Sequence, residues 1–150
     1  MHTYTSYTGI AVHDKGPGGC ITVSPLLAAL HVAGGRDFMN GHYDYVATTE
    51  AGHKHIYMSS LFHHGLVDRA LTDWLGPSIF IMRRKAKTVA PIYVGDLVTW
   101  TVTAIAKDEK KKTATFQVVL RTEGGVCCVA ETTVCWPARA QSVHWQTAPD

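Results

Sequence analysis

An α+β fold, with an antiparallel sheet curled around one apolar helix, is what this sequence predicts. Two features carry that prediction. From Ile79 onward, long segments rich in Val, Ile, Thr and aromatics are punctuated by Gly95-Asp96, Lys107 to Lys112 and Gly124-Gly125. Ahead of them stands a stripe at helical spacing, Leu66, Val67, Ala70, Leu71, Trp74 and Leu75. The stripe is wide enough to need cover over much of the helix circumference.

Taken in order, Gly9-Ile10-Ala11-Val12-His13 favours a first strand, which Gly16-Pro17-Gly18-Gly19 breaks. Ile21-Thr22-Val23 is a short β-favouring run. Ser24-Pro25 then supplies a helix cap with proline in the first turn, Leu26, Leu27, Leu30 and Val32 continue the helix, and Gly34-Gly35 ends it. Arg36 to Ser60 reads as irregular, polar and aromatic, and it is long for a plain connection, as functional loops often are. The central helix is expected to start near Gly65 and to stop at Gly76-Pro77. Strands follow over Ile79 to Val89, Leu97 to Ala106, Thr113 to Thr122 and Val126 to Cys135, the last three as a meander.

With 150 residues and no repeat or low-complexity linker, a single domain over 1–150 is expected, long enough to bury a core. A formal charge of +2 gives no electrostatic case for nucleic acid or a membrane surface, and no apolar run is long enough to span a bilayer. Met1-His2-Thr3-Tyr4 lacks the basic and apolar start of a secretory signal, which points to the cytoplasm. Cys20, Cys127, Cys128 and Cys135 form no CxxC pair, and neighbours on a strand diverge, so reduced, partly buried thiols are expected.

The chemistry is concentrated in the irregular segment. Asp37-Phe38-Met39-Asn40-Gly41-His42 sets a carboxylate and an imidazole five residues apart just past a helix end. Together they can hold one water, and either can take or return a proton near neutral pH. On spacing alone, an ordinary polar loop fits as well. His63-His64-Gly65 precedes the apolar stripe, where the first amides of a helix are unpaired donors and glycine admits a close carbonyl. A plain helix start is the blander alternative there.

These pieces, in this order, resemble the MaoC-like dehydratases and (R)-specific enoyl-CoA hydratases. Asp37-x4-His42, His64-Gly65 and Pro91-Ile92-Tyr93-Val94-Gly95-Asp96 match the family's motifs, and Ile21-Thr22-Val23-Ser24 looks like its lead-in. The resemblance runs from about Ile21 to Trp136. It implies a hotdog fold, usually a homodimer or higher homo-oligomer, with the site beside the central helix. It implies that Asp37 and His42 form a hydratase dyad, with Gly65 as oxyanion donor beside His64. The substrate would be an acyl-CoA or acyl-carrier thioester, with water added to a trans-2-enoyl-CoA to give a (R)-3-hydroxyacyl-CoA, or the reverse. No metal or organic cofactor is implied.

Three departures stand out. Met39-Asn40 replaces the family's Asn-Pro, Gly41 stands where an aliphatic residue is usual, and Asp73 lies eight beyond Gly65 where a simple hydratase has serine. A hotdog thioesterase or a non-catalytic hotdog binding module therefore stays open.

Other conspicuous residues have plainer roles. His53-Lys54-His55 with His63 and His64 lacks a matching downstream ligand pattern for zinc, so polar or substrate-lining histidines are expected. Arg83, Arg84, Lys85 and Lys87 suit a solvated face or edge better than a coenzyme A phosphate site. Trp74, Trp100 and Trp136 suit core or interface anchors.

Overall fold

A computed structural model describes residues 4–137. Met1 to Thr3, on which most of the leader reading rests, and the last stretch of the expected domain, 138–150, lie outside the described residues. Five strands, β1 (Gly19–Thr22), β2 (Phe80–Thr88), β3 (Leu97–Asp108), β4 (Thr113–Thr122) and β5 (Gly125–Cys135), form one sheet in the order β1-β3-β4-β5-β2. All neighbouring pairs are antiparallel. The meander is therefore β3-β4-β5, while β2 crosses to the far edge beside β5. Among the described residues, three α-helices, α1 (Pro25–Gly35), α2 (Tyr45–Glu50) and α3 (Ser60–Leu75), accompany the sheet.

The sheet curls around α3 because that helix has two apolar flanks to bury. Phe62, Leu66, Val67, Ala70, Leu71 and Leu75 are all within the core, against Phe116, Val118, Leu120 and Ala130 of the sheet. Alternation on β4 puts Phe116, Val118 and Leu120 on the inner face. Trp74, partly buried, packs edge-on against Phe116 at 5.3 Å, and Trp100 is buried, so both anchor the core. A side chain at Gly16 would strike the Trp74 ring at 2.3 Å and one at Gly19 the Trp100 ring at 2.2 Å. The glycine-rich break is thus dictated by two tryptophans. Arg84 turns inward from edge strand β2 to pair with Asp68 on α3.

Three local expectations are corrected. The proposed strand at 9–13 does not form: the Asp14 carboxylate takes the Ala11 amide and His13 adopts φ 77°, which turns the chain. Only Lys15 makes a bridge there, to Thr103. The stretch 36–60 is more ordered than it reads, with a 3-10 turn at Asn40–His42 and α2 capped by Asp44 on the Ala47 amide. The central helix begins at Ser60, a full turn and more before Gly65. His63 and His64 concealed that start, because polar residues at the head of the stripe read as a boundary.

The earlier start settles the Asp73 question. Asp73 lies on the outside of α3, half-exposed and 3.5 Å from Arg69, so no carboxylate is forced into the site. Among the described residues, no helix is long and apolar enough to cross a membrane. Leu71→Ala should lower unfolding free energy by about 2–5 kcal/mol, the range for emptying a core site. Asp73→Ala should change it by less than about 0.5 kcal/mol; urea unfolding of both variants checks this.

Candidate active site

Three pieces of chain converge on a cavity of about 420 Å³: the loop after α1, the segment leading into α3, and the end of β2 with Pro91. Asp37, His42, Tyr57, Ser59, Ser60 and His63 line it. The segment Ile56 to Met58 is held from both sides. Met58 N–H donates to Ile92 O at 2.8 Å, Val94 N–H to Ile56 O at 2.9 Å, and Tyr57 N–H to Gly41 O at 3.1 Å. The Pro91 to Asp96 motif supports this arrangement: Asp96 closes its own turn on the Tyr93 amide at 2.8 Å and pairs with Lys54 at 2.9 Å.

The structure brings Asp37 and His42 together. His42 is buried, and its Nδ1 lies 2.8 Å from the Tyr57 carbonyl. A carbonyl only accepts, so Nδ1 carries a proton, and in the neutral tautomer Nε2 is an acceptor. That Nε2 faces Asp37 Oδ2 at 3.5 Å, beyond a good direct hydrogen bond. In the neutral form both groups are acceptors facing the cavity, so a water lying on their cavity side can donate to them. Tyr57 thus fixes two adjacent residues of the loop, Gly41 by its N–H and His42 by its carbonyl.

Gly41 now has a physical reason. A Cβ there would lie 2.5 Å from Cζ and the hydroxyl oxygen of Tyr57. The tyrosine ring occupies the room an aliphatic side chain would need, and it packs edge-on to His42 at 5.2 Å.

Helix α3 supplies the facing wall. Its N-cap Ser59 makes no side-chain cap bond, because its hydroxyl is engaged with His31 Nε2 at 2.8 Å. The first amides of α3 therefore open at the positive end of the helix dipole beside the cavity, with Ser60 in its lining. Burial pushes the His63 imidazole down from its ordinary value, against smaller upward pulls from the Ser59 and Ala90 carbonyls. His31 is pushed down as well, first by burial and then by neighbouring His42. Both shifts favour the neutral ring.

Gly65 and His64 are not brought to this cavity. Gly65 is the sixth residue of α3, on an exposed face, where its amide belongs to the helix ladder. The helix-terminal amides, expected from sequence at Gly65, are in the structure those of Ser59 and Ser60. A serine ahead of Phe62, Leu66 and Ala70 at helical spacing was the available signal. Tyr57 and His31 left no such mark, whereas His63 is among the histidines expected to be polar or substrate-lining. The other histidines scatter: His53 Nδ1 lies 3.1 Å from the Tyr93 hydroxyl, and His55 Nδ1 accepts its neighbour Ile56 N–H. Among the described residues, no group of three or more His, Cys, Asp or Glu stands together as a metal set.

No family model matches the chain. The 3-oxo-4,17-pregnadiene-20-carboxyl-CoA hydratase beta subunit of Mycobacterium tuberculosis is 39% identical over 72 residues, which cover 47% of this chain and 56% of that protein. A (R)-specific enoyl-CoA hydratase of Rhodospirillum rubrum is 38% identical over 64 residues, covering 43% and 44% respectively. The chain thus spans about half the length of the curated relatives it matches. Among solved structures, the ChsH1-ChsH2 complex from Mycobacterium tuberculosis superposes with a TM-score of 0.80 at 28% identity, covering 85% of this chain and 98% of that one. The (R)-hydratase from A. caviae involved in PHA biosynthesis gives 0.79 at 23% identity over the same shares, a likeness of fold.

The fold is the hotdog fold of these hydratases. The resemblance read from the motifs, to MaoC-like dehydratases and (R)-specific enoyl-CoA hydratases, is borne out by both comparisons.

The Gly41–Tyr57 contact generates a stability prediction. Gly41→Ala should cost about 1–3 kcal/mol by overpacking. In a Tyr57→Ala background the same change should cost much less, a coupling of about 0.5–3 kcal/mol. Urea unfolding of the four proteins measures it, and strict additivity would contradict the contact.

Proposed function

We propose that the protein is a hydratase or dehydratase of acyl thioesters, adding water to a trans-2-enoyl-CoA to give a (R)-3-hydroxyacyl-CoA, or the reverse. The observation that carries this reading is the placement of Asp37 and the bare Nε2 of His42 across one cavity from the open first turn of α3. The named activities of the relatives, hydration of CoA thioesters, support it.

In this mechanism the thioester carbonyl lies against the Ser60 N–H. Asp37 and His42 hold the water between them. As its oxygen attacks the β carbon, one of the pair takes its proton. Charge moves onto the thioester oxygen as an enolate, where the helix-end amide stabilises it. A proton delivered to the α carbon completes the addition. The step needs no metal or organic cofactor, and dehydration runs the same path backwards.

A thioesterase would direct its water at the carbonyl carbon instead. The pairing of two water-binding groups with a separate oxyanion donor favours addition. Cysteine chemistry is disfavoured, because burial raises the Cys127 thiol to about 11 and also raises Cys128. The four cysteines are free, in keeping with a cytoplasmic setting, which is part of this proposal.

The protein is also proposed to act as a homodimer or higher homo-oligomer. Among the described residues, edge strand β2 pairs on one side only, and Leu26, Leu30, Phe38 and Val46 are exposed around α1 and the loop. The ChsH1-ChsH2 neighbour, a complex of two different chains, favours a hetero-oligomer as the second arrangement.

On crotonyl-CoA, the wild type should remove the enoyl ultraviolet absorbance without releasing free thiol. Asp37→Asn and His42→Ala should each reduce turnover at least about a hundredfold. The double variant should fall far short of the product of the two losses, since either change disables one unit. Melting curves confirm that the variants fold. Near-normal turnover in either folded variant contradicts the assignment.

A further inference from the structure

His63 lies outside the chemistry just described, yet it is 1% exposed and lines the cavity. Its Nδ1 lies 3.1 Å from the Ser59 carbonyl oxygen. Because a carbonyl only accepts, the imidazole donates through Nδ1–H. Burial favours the neutral ring, so with Nδ1–H on Ser59 the Nε2 carries no proton; among the described residues it closes no hydrogen bond, although the Ala90 carbonyl is near enough to pull on the ring. A fully buried imidazole with one unsatisfied nitrogen is expensive where a leucine would fill the space. Its other nitrogen must contribute something that leucine would not.

The peptide plane supplies the connection. The Ser59 carbonyl and the Ser60 N–H belong to one rigid trans unit, so they point in opposite directions. Any group that fixes the oxygen fixes the direction of the N–H. Phe62 N–H also donates to that oxygen, at 3.1 Å. Added donation from His63 draws electron density toward the oxygen and makes the Ser60 N–H a stronger donor, as hydrogen bonds in series polarise one another. The Ser59 hydroxyl, which would otherwise cap this turn, is turned aside to His31. Each contact leaves the Ser60 N–H aimed and uncapped.

We propose that His63 is a positioning residue, which aims and polarises the Ser60 amide toward a thioester carbonyl through the shared Ser59–Ser60 peptide. This rests on the reading of that amide as the oxyanion donor.

The test compares His63→Leu, His63→Asn and His63→Gln. Asparagine places an amide nitrogen near the Nδ1 position, whereas glutamine places it near Nε2. The first readout is the infrared carbonyl stretch of butyryl-CoA labelled with carbon-13 at its carbonyl, a saturated probe that cannot be hydrated. The stretch should move to lower frequency on binding the wild type. The shift should shrink in the leucine and glutamine variants and return in the asparagine variant.

The second readout is turnover on crotonyl-CoA. The kcat should fall about tenfold or more in the leucine and glutamine variants, less than the loss of an entire oxyanion donor, with KM changed by less than about threefold. His63→Asn should recover most of it.

If the leucine variant fails to fold, the contrast between asparagine and glutamine decides. Equal carbonyl shifts in folded asparagine and glutamine variants would overturn the inference. So would a wild-type shift retained by folded His63→Leu, or no shift in the wild type. A wild-type carbonyl shift without hydration would instead overturn the hydratase reading and leave the role of His63 standing.

Discussion

The burial of α3 is the constraint on which the rest of the molecule depends. Burial of Phe62, Leu66, Val67, Ala70 and Leu71 in the core fixes where the first turn of α3 ends, although Ser60 and Leu61 stay exposed. The turn at Ser59 and Ser60 forms part of the wall of a cavity. Helix-end amides placed in such a position need an acceptor. A side-chain cap is the usual answer, and α1 and α2 have one each, from Ser24 and Asp44. At α3 the capping hydroxyl is drawn off by His31, so the hydrophobic wrapping and one diverted hydrogen bond together produce a preorganised donor.

The opposite wall is built by the backbone of one residue. Tyr57 binds the Gly41 carbonyl through its N–H and the His42 ring through its carbonyl. That single clamp sets the loop position, the imidazole orientation and the tautomer. The tautomer matters most. In the neutral tautomer with Nδ1–H on Tyr57, the nitrogen toward Asp37 accepts, which suits a water-binding pair. Loss of the family's rigid proline is offset here by packing, since the Tyr57 ring fills the space that glycine leaves at position 41.

Much of this was legible in the sequence. β-favouring composition with glycine and charged punctuation located β2 to β5, because sheet-forming side chains and turn chemistry are local properties. Ser24-Pro25 marked the head of α1 for the same reason. Asp37 and His42 were found by spacing and by the order of motifs around them. What escaped depended on distant partners. Gly9 to His13 has strand composition but is bent by Asp14. The start of α3 was placed at Gly65 because two histidines look polar, although His63 is among the most buried residues of the helix. The fit of Gly41 to Tyr57 joins positions too far apart in sequence for either residue to announce the other.

The central claim is that one cavity holds water on the Asp37–His42 side and polarises a thioester on the α3 side. Hydration of crotonyl-CoA in oxygen-18 water, with chiral separation and mass analysis of the product, tests it most directly. The account predicts (R)-3-hydroxybutyryl-CoA carrying the heavy oxygen at the β carbon, with the thioester intact. Heavy oxygen in a released carboxylate, the (S) product, or unchanged crotonyl-CoA would contradict it.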